Sequence, residues 1–152
     1  MPDAFTRPVR AAAAIAAVLL LCLPALAQTL FHQAENQVQV ALVKVVRAAG
    51  YTEVHLQTLK AMAGICWYAS GVNSPYLLAD GRRFRYLDGG NITACPGKQA
   101  YANQEVMVLR FEPLPANARA FALVEGQGGE NQMVDPKSSR EQFWNFLRVK
   151  LD

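Results

Sequence analysis

The chain carries few side chains that could do chemistry, and they stand far apart. Histidine occurs twice, at His32 and His55; cysteine occurs at Cys22, Cys66 and Cys95. Acidic and amide groups concentrate in one stretch, LVEGQGGENQMVD, which holds Glu125, Gln127, Glu130, Asn131, Gln132 and Asp135 among three glycines. A serine hydrolase needs a base close to its nucleophile. No G-x-S-x-G turn is present, His55 falls in the middle of an alternating segment, and His32 lies near the N-terminus. A phosphate-cradling loop needs Lys-Ser/Thr after its glycines, which GQGG lacks. Neither histidine stands at ligand spacing from a cysteine, and Glu125, Glu130 and Asp135 match no EF-hand spacing. Paired carboxylates for glycoside chemistry are not identifiable, because Glu125 and Glu130 share one loop. The expectation is no catalytic residue, no metal and no cofactor, with enzymatic activity left open.

What remains is binding. Glu125, Glu130, Asn131 and Gln132 are either part of a long connection ahead of the last strand or a polar recognition loop on a rigid scaffold. Arg83 and Arg85, with Arg82 beside them, are either a solvated face that discourages strand pairing or a docking point for an acidic polymer or partner. Trp67, Tyr68, Trp144 and Phe146 supply large aromatic area. Most of it belongs in a core, but Trp144 and Phe146 alternate against Phe143, Leu147, Val149 and Leu151. If the latter face is the core, two aromatics point outward for a partner or glycan.

These groups must be held by an exported domain. MPDAFTRPVRAAAAIAAVLLLCLPALAQ has a positive start at Arg7 and Arg10, an apolar run from Ala11 to Leu23, and small residues at Ala25 and Ala27. That is the pattern of a secretory signal with cleavage between Ala27 and Gln28. The apolar run is short for a span of roughly 20 residues, and Leu21 before Cys22 disfavours a lipoprotein. Residues 1–27 are therefore expected as signal peptide, 28–37 as a loose polar lead and 38–152 as the domain. Losing Asp3, Arg7 and Arg10 takes the formal net charge from +3 to +2, too little to suggest nucleic acid. No second apolar span follows, so no transmembrane segment is expected in the mature chain. The remaining cysteines, Cys66 and Cys95, form an even pair in an exported protein and are expected as a disulfide. The place of action is periplasmic or secreted.

The positioning elements read as β-strands. VQVALVKVV (Val38–Val46) is nearly all apolar; Thr52 to Ala63 opens with alternation, which favours strand over a competing helix from His55 to Ala63, and Gly50 lies between, as in a hairpin. Gly64 to Tyr68 is a third strand candidate. PYLLADGRRFRYLDGG is a hairpin turned at Asp80-Gly81, where tight turns require positive φ, with Phe84 and Tyr86 on one face and Arg83 and Arg85 on the other. Glu105–Phe111, Phe121–Val124 and Phe143–Leu151 follow. Asp135-Pro136 suits the start of one helical turn. Seven to nine short strands without a long amphipathic helix argue an antiparallel sandwich.

SPYLLADGRRFRYLDGGNI, VLRFEPLP, AFALVEG and FWNFLRVKL together resemble a loose class of secreted bacterial immunoglobulin-like sandwich domains over Ser74 to Leu151. The resemblance implies that fold and carries no catalytic signature; Gly126 would be turn hardware where the strand leaves the sheet. The leading expectation is an exported non-enzymatic module that binds a protein or envelope component through loops or a sheet edge. The alternative is a small periplasmic hydrolase, or a hydrolase inhibitor, using the Glu125–Gln132 loop.

Overall fold

The computed structural model describes residues 24–34, 37–126 and 144–152. Among these residues it is all-β. Eight antiparallel strands form one sheet in the order β1-β2-β3-β8-β6-β5-β9-β10, and a two-stranded sheet pairs β4 with β7. The strands are β1 (Leu26–Ala34), β2 (Gln37–Arg47), β3 (Thr52–Thr58), β4 (Met62–Ile65), β5 (Tyr76–Ala79), β6 (Arg82–Gly90), β7 (Gln99–Tyr101), β8 (Val106–Phe111), β9 (Ala120–Val124) and β10 (Phe146–Lys150). The large sheet curls until it is nearly a barrel. The expected all-β, antiparallel character is present. The immunoglobulin-like sandwich is not confirmed, because one continuous hydrogen-bonded sheet runs through all eight strands.

The alternation in β3 sets the inside of this barrel. Thr52, Val54, Leu56 and Thr58 are fully buried, while Glu53, His55 and Gln57 face out. Val40, Leu42 and Val45 of β2, Met107, Leu109 and Phe111 of β8, and Leu77, Phe121 and Leu123 complete the wall's inner face. Each such side chain contributes about 1.5–3 kcal/mol by leaving water. The two inward threonines are satisfied: Thr58 Oγ1 donates to the Ala102 carbonyl at 2.6 Å, and Thr52 Oγ1 accepts the Leu114 N–H at 2.9 Å. β2 departs from simple alternation because its register shifts between Leu42 and Lys44, so Leu42 and Val45, three apart, both join the core.

The β5–β6 hairpin turns where expected, with Asp80 at φ 49° and Gly81 at φ 74°. Elsewhere the strand limits shift. Gly64–Tyr68 is not one strand: β4 ends at Ile65, and Trp67 makes a single parallel bridge to Ala94. Cys66 and Cys95 form a disulfide across these two segments, with Cα atoms 5.0 Å apart. The Trp67 N–H donates to the Thr93 carbonyl at 2.9 Å and the Cys95 N–H to the Trp67 carbonyl at 3.0 Å. Closing a separation of 29 residues is worth roughly 3.5 kcal/mol in the loop-entropy view. Trp67 packs inward against Trp144, the rings tilted by 55° with centroids 5.7 Å apart.

Two stretches differ more from the sequence expectation. Gln28 to Ala34, read as part of a loose lead, is strand, pairing with β2 from Leu26↔Arg47 to Ala34↔Gln37. In β10 the expected faces are exchanged part-way. Phe146 pairs with Leu123 and Val149 with Phe121, so β10 carries one extra residue. Arg148 absorbs it at φ 52°, as a bulge does. Phe146, Val149 and Leu151 therefore share the buried side, and Arg148 and Lys150 are exposed. The suggested helical turn at Asp135-Pro136 and the strand start at Phe143 lie outside the described residues.

Candidate functional site

Of the residues proposed for binding, Arg83 and Arg85 reach the surface together. They lie on the outer face of β6, with Arg83 opposite Leu78 and Arg85 opposite Tyr76; Leu78 and Tyr76 in turn pair with Ala122 and Val124 of β9. Tyr76, Ala122 and Val124 form a small apolar cluster with Leu78 and Leu147, separate from the main core. The two arginines differ in partner. Arg85 is tied to Glu112: its Nε donates to Oε1 at 2.8 Å and its backbone N–H to Oε2 at 2.9 Å. That side-chain hydrogen bond, then the backbone one, holds the Glu112 carboxyl below its ordinary range. Arg83 instead lays its guanidinium over the Tyr76 ring, 4.3 Å from the centroid, a cation–π contact. Arg82 sits similarly over Phe84 at 5.6 Å.

Glu125 is buried. Its Oε2 accepts the Trp144 N–H at 3.1 Å, and its own N–H donates to Asn145 Oδ1 at 3.3 Å. These bonds join the end of β9 to the start of β10, and Gly126 follows at φ 84°. A carboxylate that takes up a buried N–H is there to satisfy backbone where a strand leaves the sheet. Trp144 and Phe146 are core residues, 4% and 0% exposed, and offer no surface aromatic. Glu130, Asn131 and Gln132 lie outside the described residues.

Two arrangements were not anticipated. The first is a polar group on the outer face of β3, β8 and β6. Glu53 accepts from Arg110 Nε at 2.8 Å and lies 3.3 Å from His55 Nε2; Arg110 also reaches Asp88 at 3.4 Å. The Arg110 hydrogen bond, against the opposing effect of burial, holds the Glu53 carboxyl below its ordinary range, with the His55 hydrogen bond acting the same way. Glu53 and His55, two apart in a strand, had to share a face; their link to Arg110 depends on the β3–β8 register, in which Glu53 pairs with Arg110.

The second is the seam where β1 approaches β10. Here the Gln28 side chain bridges the strands. Its Nε2 donates to the Lys150 carbonyl at 3.2 Å, and its Oε1 accepts the Asp152 N–H at 3.1 Å. Arg47, at the end of β2, donates to three carbonyls, those of Ala116 at 3.3 Å, Ala118 at 3.5 Å and Asp152 at 3.1 Å. A cleft of about 310 Å³ opens here, lined by Leu26, Ala27, Gln28, Thr29, Val45, Arg47 and Asp152. Along β1 the half-buried positions Gln28, Leu30 and His32 alternate with exposed Thr29, Phe31 and Gln33. Leu30 packs on the core, whereas Phe31 is 66% exposed. The sequence signal was this faint alternation, hidden by polar residues on both faces.

No protein family, curated protein or solved structure matches the chain. The likeness to immunoglobulin-like domains therefore rests on its turn and strand motifs alone.

Proposed function

We propose that this protein is an exported, non-catalytic β-module that binds a protein or envelope component through the β1 edge of its sheet. The observation that carries the reading is Phe31: a large aromatic side chain, 66% exposed, on the terminal strand of an eight-stranded sheet. Terminal strands present backbone groups for pairing, and an extended partner that adds a strand gains hydrogen bonds there and specificity from alternate side chains. The disulfide supports export, as does the leader pattern ahead of Gln28. The alternative, a hydrolase or hydrolase inhibitor acting through the Glu125–Gln132 loop, is less favoured because Glu125 is buried and accepts a backbone N–H.

The test is a photo-crosslinking residue placed at Phe31 in cells, with the same residue at exposed Val72 as control. A discrete envelope adduct at position 31, absent at 72, is the expected result. Equal labelling at both positions, or substrate turnover by the purified domain that one point change abolishes, would sink the reading.

A further inference from the structure

Gln28 holds two places at once. It is the residue that the leader pattern leaves at the mature N-terminus, and its carboxamide is the group that bridges β1 to β10. An N-terminal glutamine has a specific chemistry. Its free α-amine can attack its own Cδ; the new C–N bond closes a five-membered lactam, the Cδ–Nε2 bond breaks, and ammonia leaves with the proton from the amine. No oxidant or co-reactant is needed. The product lacks the Nε2 donor, and its remaining carbonyl is drawn back onto the residue's own backbone nitrogen. Neither bond to β10 can then form.

We propose that Gln28 is the lock of the barrel seam and a modification site, with lactam formation the step that opens it. The inference rests on the export reading, which supplies the free amine. The fold itself guards the lock. The carboxamide reaches away from its backbone, to the Lys150 carbonyl and the Asp152 N–H. Cyclisation requires the side chain to fold back, so both bonds must break first. A chain that folds promptly after export keeps its glutamine and a linked β1–β10 seam. A chain that lingers unfolded cyclises and then folds with the two strands unlinked, leaving the β1 edge more accessible. Leu26 and Ala27 precede the cut and are exposed in β1, so their removal takes little from the core.

The experiment uses protein recovered from the periplasm under native conditions. Intact mass first fixes the N-terminus. Loss of the mass of one ammonia is then followed with time in buffer and in urea, and backbone amide exchange at Asp152 is compared in the uncyclised form, the cyclised form and Gln28→Ala. Cyclisation is expected to be about tenfold slower in the folded chain, the factor that two partly solvated hydrogen bonds supply at the low end of their usual net contribution. The Asp152 amide is expected to exchange slowly only in the uncyclised form. Equal rates in buffer and urea, or equal Asp152 protection in the cyclised form, overturn the inference alone. An N-terminus other than Gln28 overturns the export reading and this inference with it. The cyclised form needs no substitution, so the comparison stands even if Gln28→Ala does not fold.

Discussion

The barrel wall at β2, β3 and β8 and the seam between β1 and β10 are joined by different means. In the wall, β3 is laddered to β2 along its whole length and to β8 from Thr52 to Gln57, and its inward residues are fully buried. At the seam, side chains link the described residues, those of Gln28 and Arg47. A ladder adds one backbone bond per residue fixed and excludes water from the next. Side-chain links each stand alone, remain partly solvated and can be lost one at a time. The molecule is thus built around a cooperative half and closed by a separable one, and low local stability belongs where binding needs access.

The sharpest break of this contrast lies in the wall. Leu56→Ala removes a fully buried side chain from the middle strand of the ladder. The expected loss is about 3 kcal/mol, within the usual range for such cavities, read as a lower denaturant midpoint by chemical unfolding. A loss below about 1 kcal/mol would mean that the wall collapses around the gap and is not tightly packed.

Arg47→Ala strikes the seam. The change removes three charged hydrogen bonds to carbonyls, of which that to Ala118 is long. The expected cost is about 1–2 kcal/mol, because the group is only half-buried and water replaces part of what is lost. Hydrogen exchange should show the effect at Asp152 and near Ala118, with β3 unchanged. If β3 amides lose protection equally, seam and wall unfold as one unit and the contrast fails.

The same contrast decided what the sequence could disclose. β3 and the β5–β6 hairpin were legible because alternation and an Asp-Gly turn are local properties, and the Cys66–Cys95 bond followed from compartment and count. β1 was not legible, since Gln28, Thr29, His32 and Gln33 are polar on both faces and only pairing with β2 makes them a strand. Nor was the inward turn of Trp144 and Phe146, because the bulge at Arg148 shifts the face by one residue and no glycine marks it. The joining of eight strands into one curled sheet is a matter of strand order, which local patterns do not encode. Glu125 stood out by type, but its role came from a partner 19 positions away.

The smallest expected effect lies on the outer surface of the wall, at Glu53. Its carboxyl is held below the ordinary range chiefly by the hydrogen bond from Arg110. A depressed carboxyl contributes stability that is fully present above its unfolded value and is lost as pH falls through the folded one. Glu53→Gln should therefore cost about 1 kcal/mol near about pH 7, a modest figure because Arg110 is 46% exposed. The difference between variant and parent should shrink as pH falls below the ordinary carboxylate range, since the parent then loses the same interaction on protonation. Urea midpoints at about pH 7 and about pH 3 measure this. A gap that stays constant or widens toward acid would show that the Glu53–Arg110 pair does not stabilise the wall, leaving the backbone ladder and the core beneath it to do so alone.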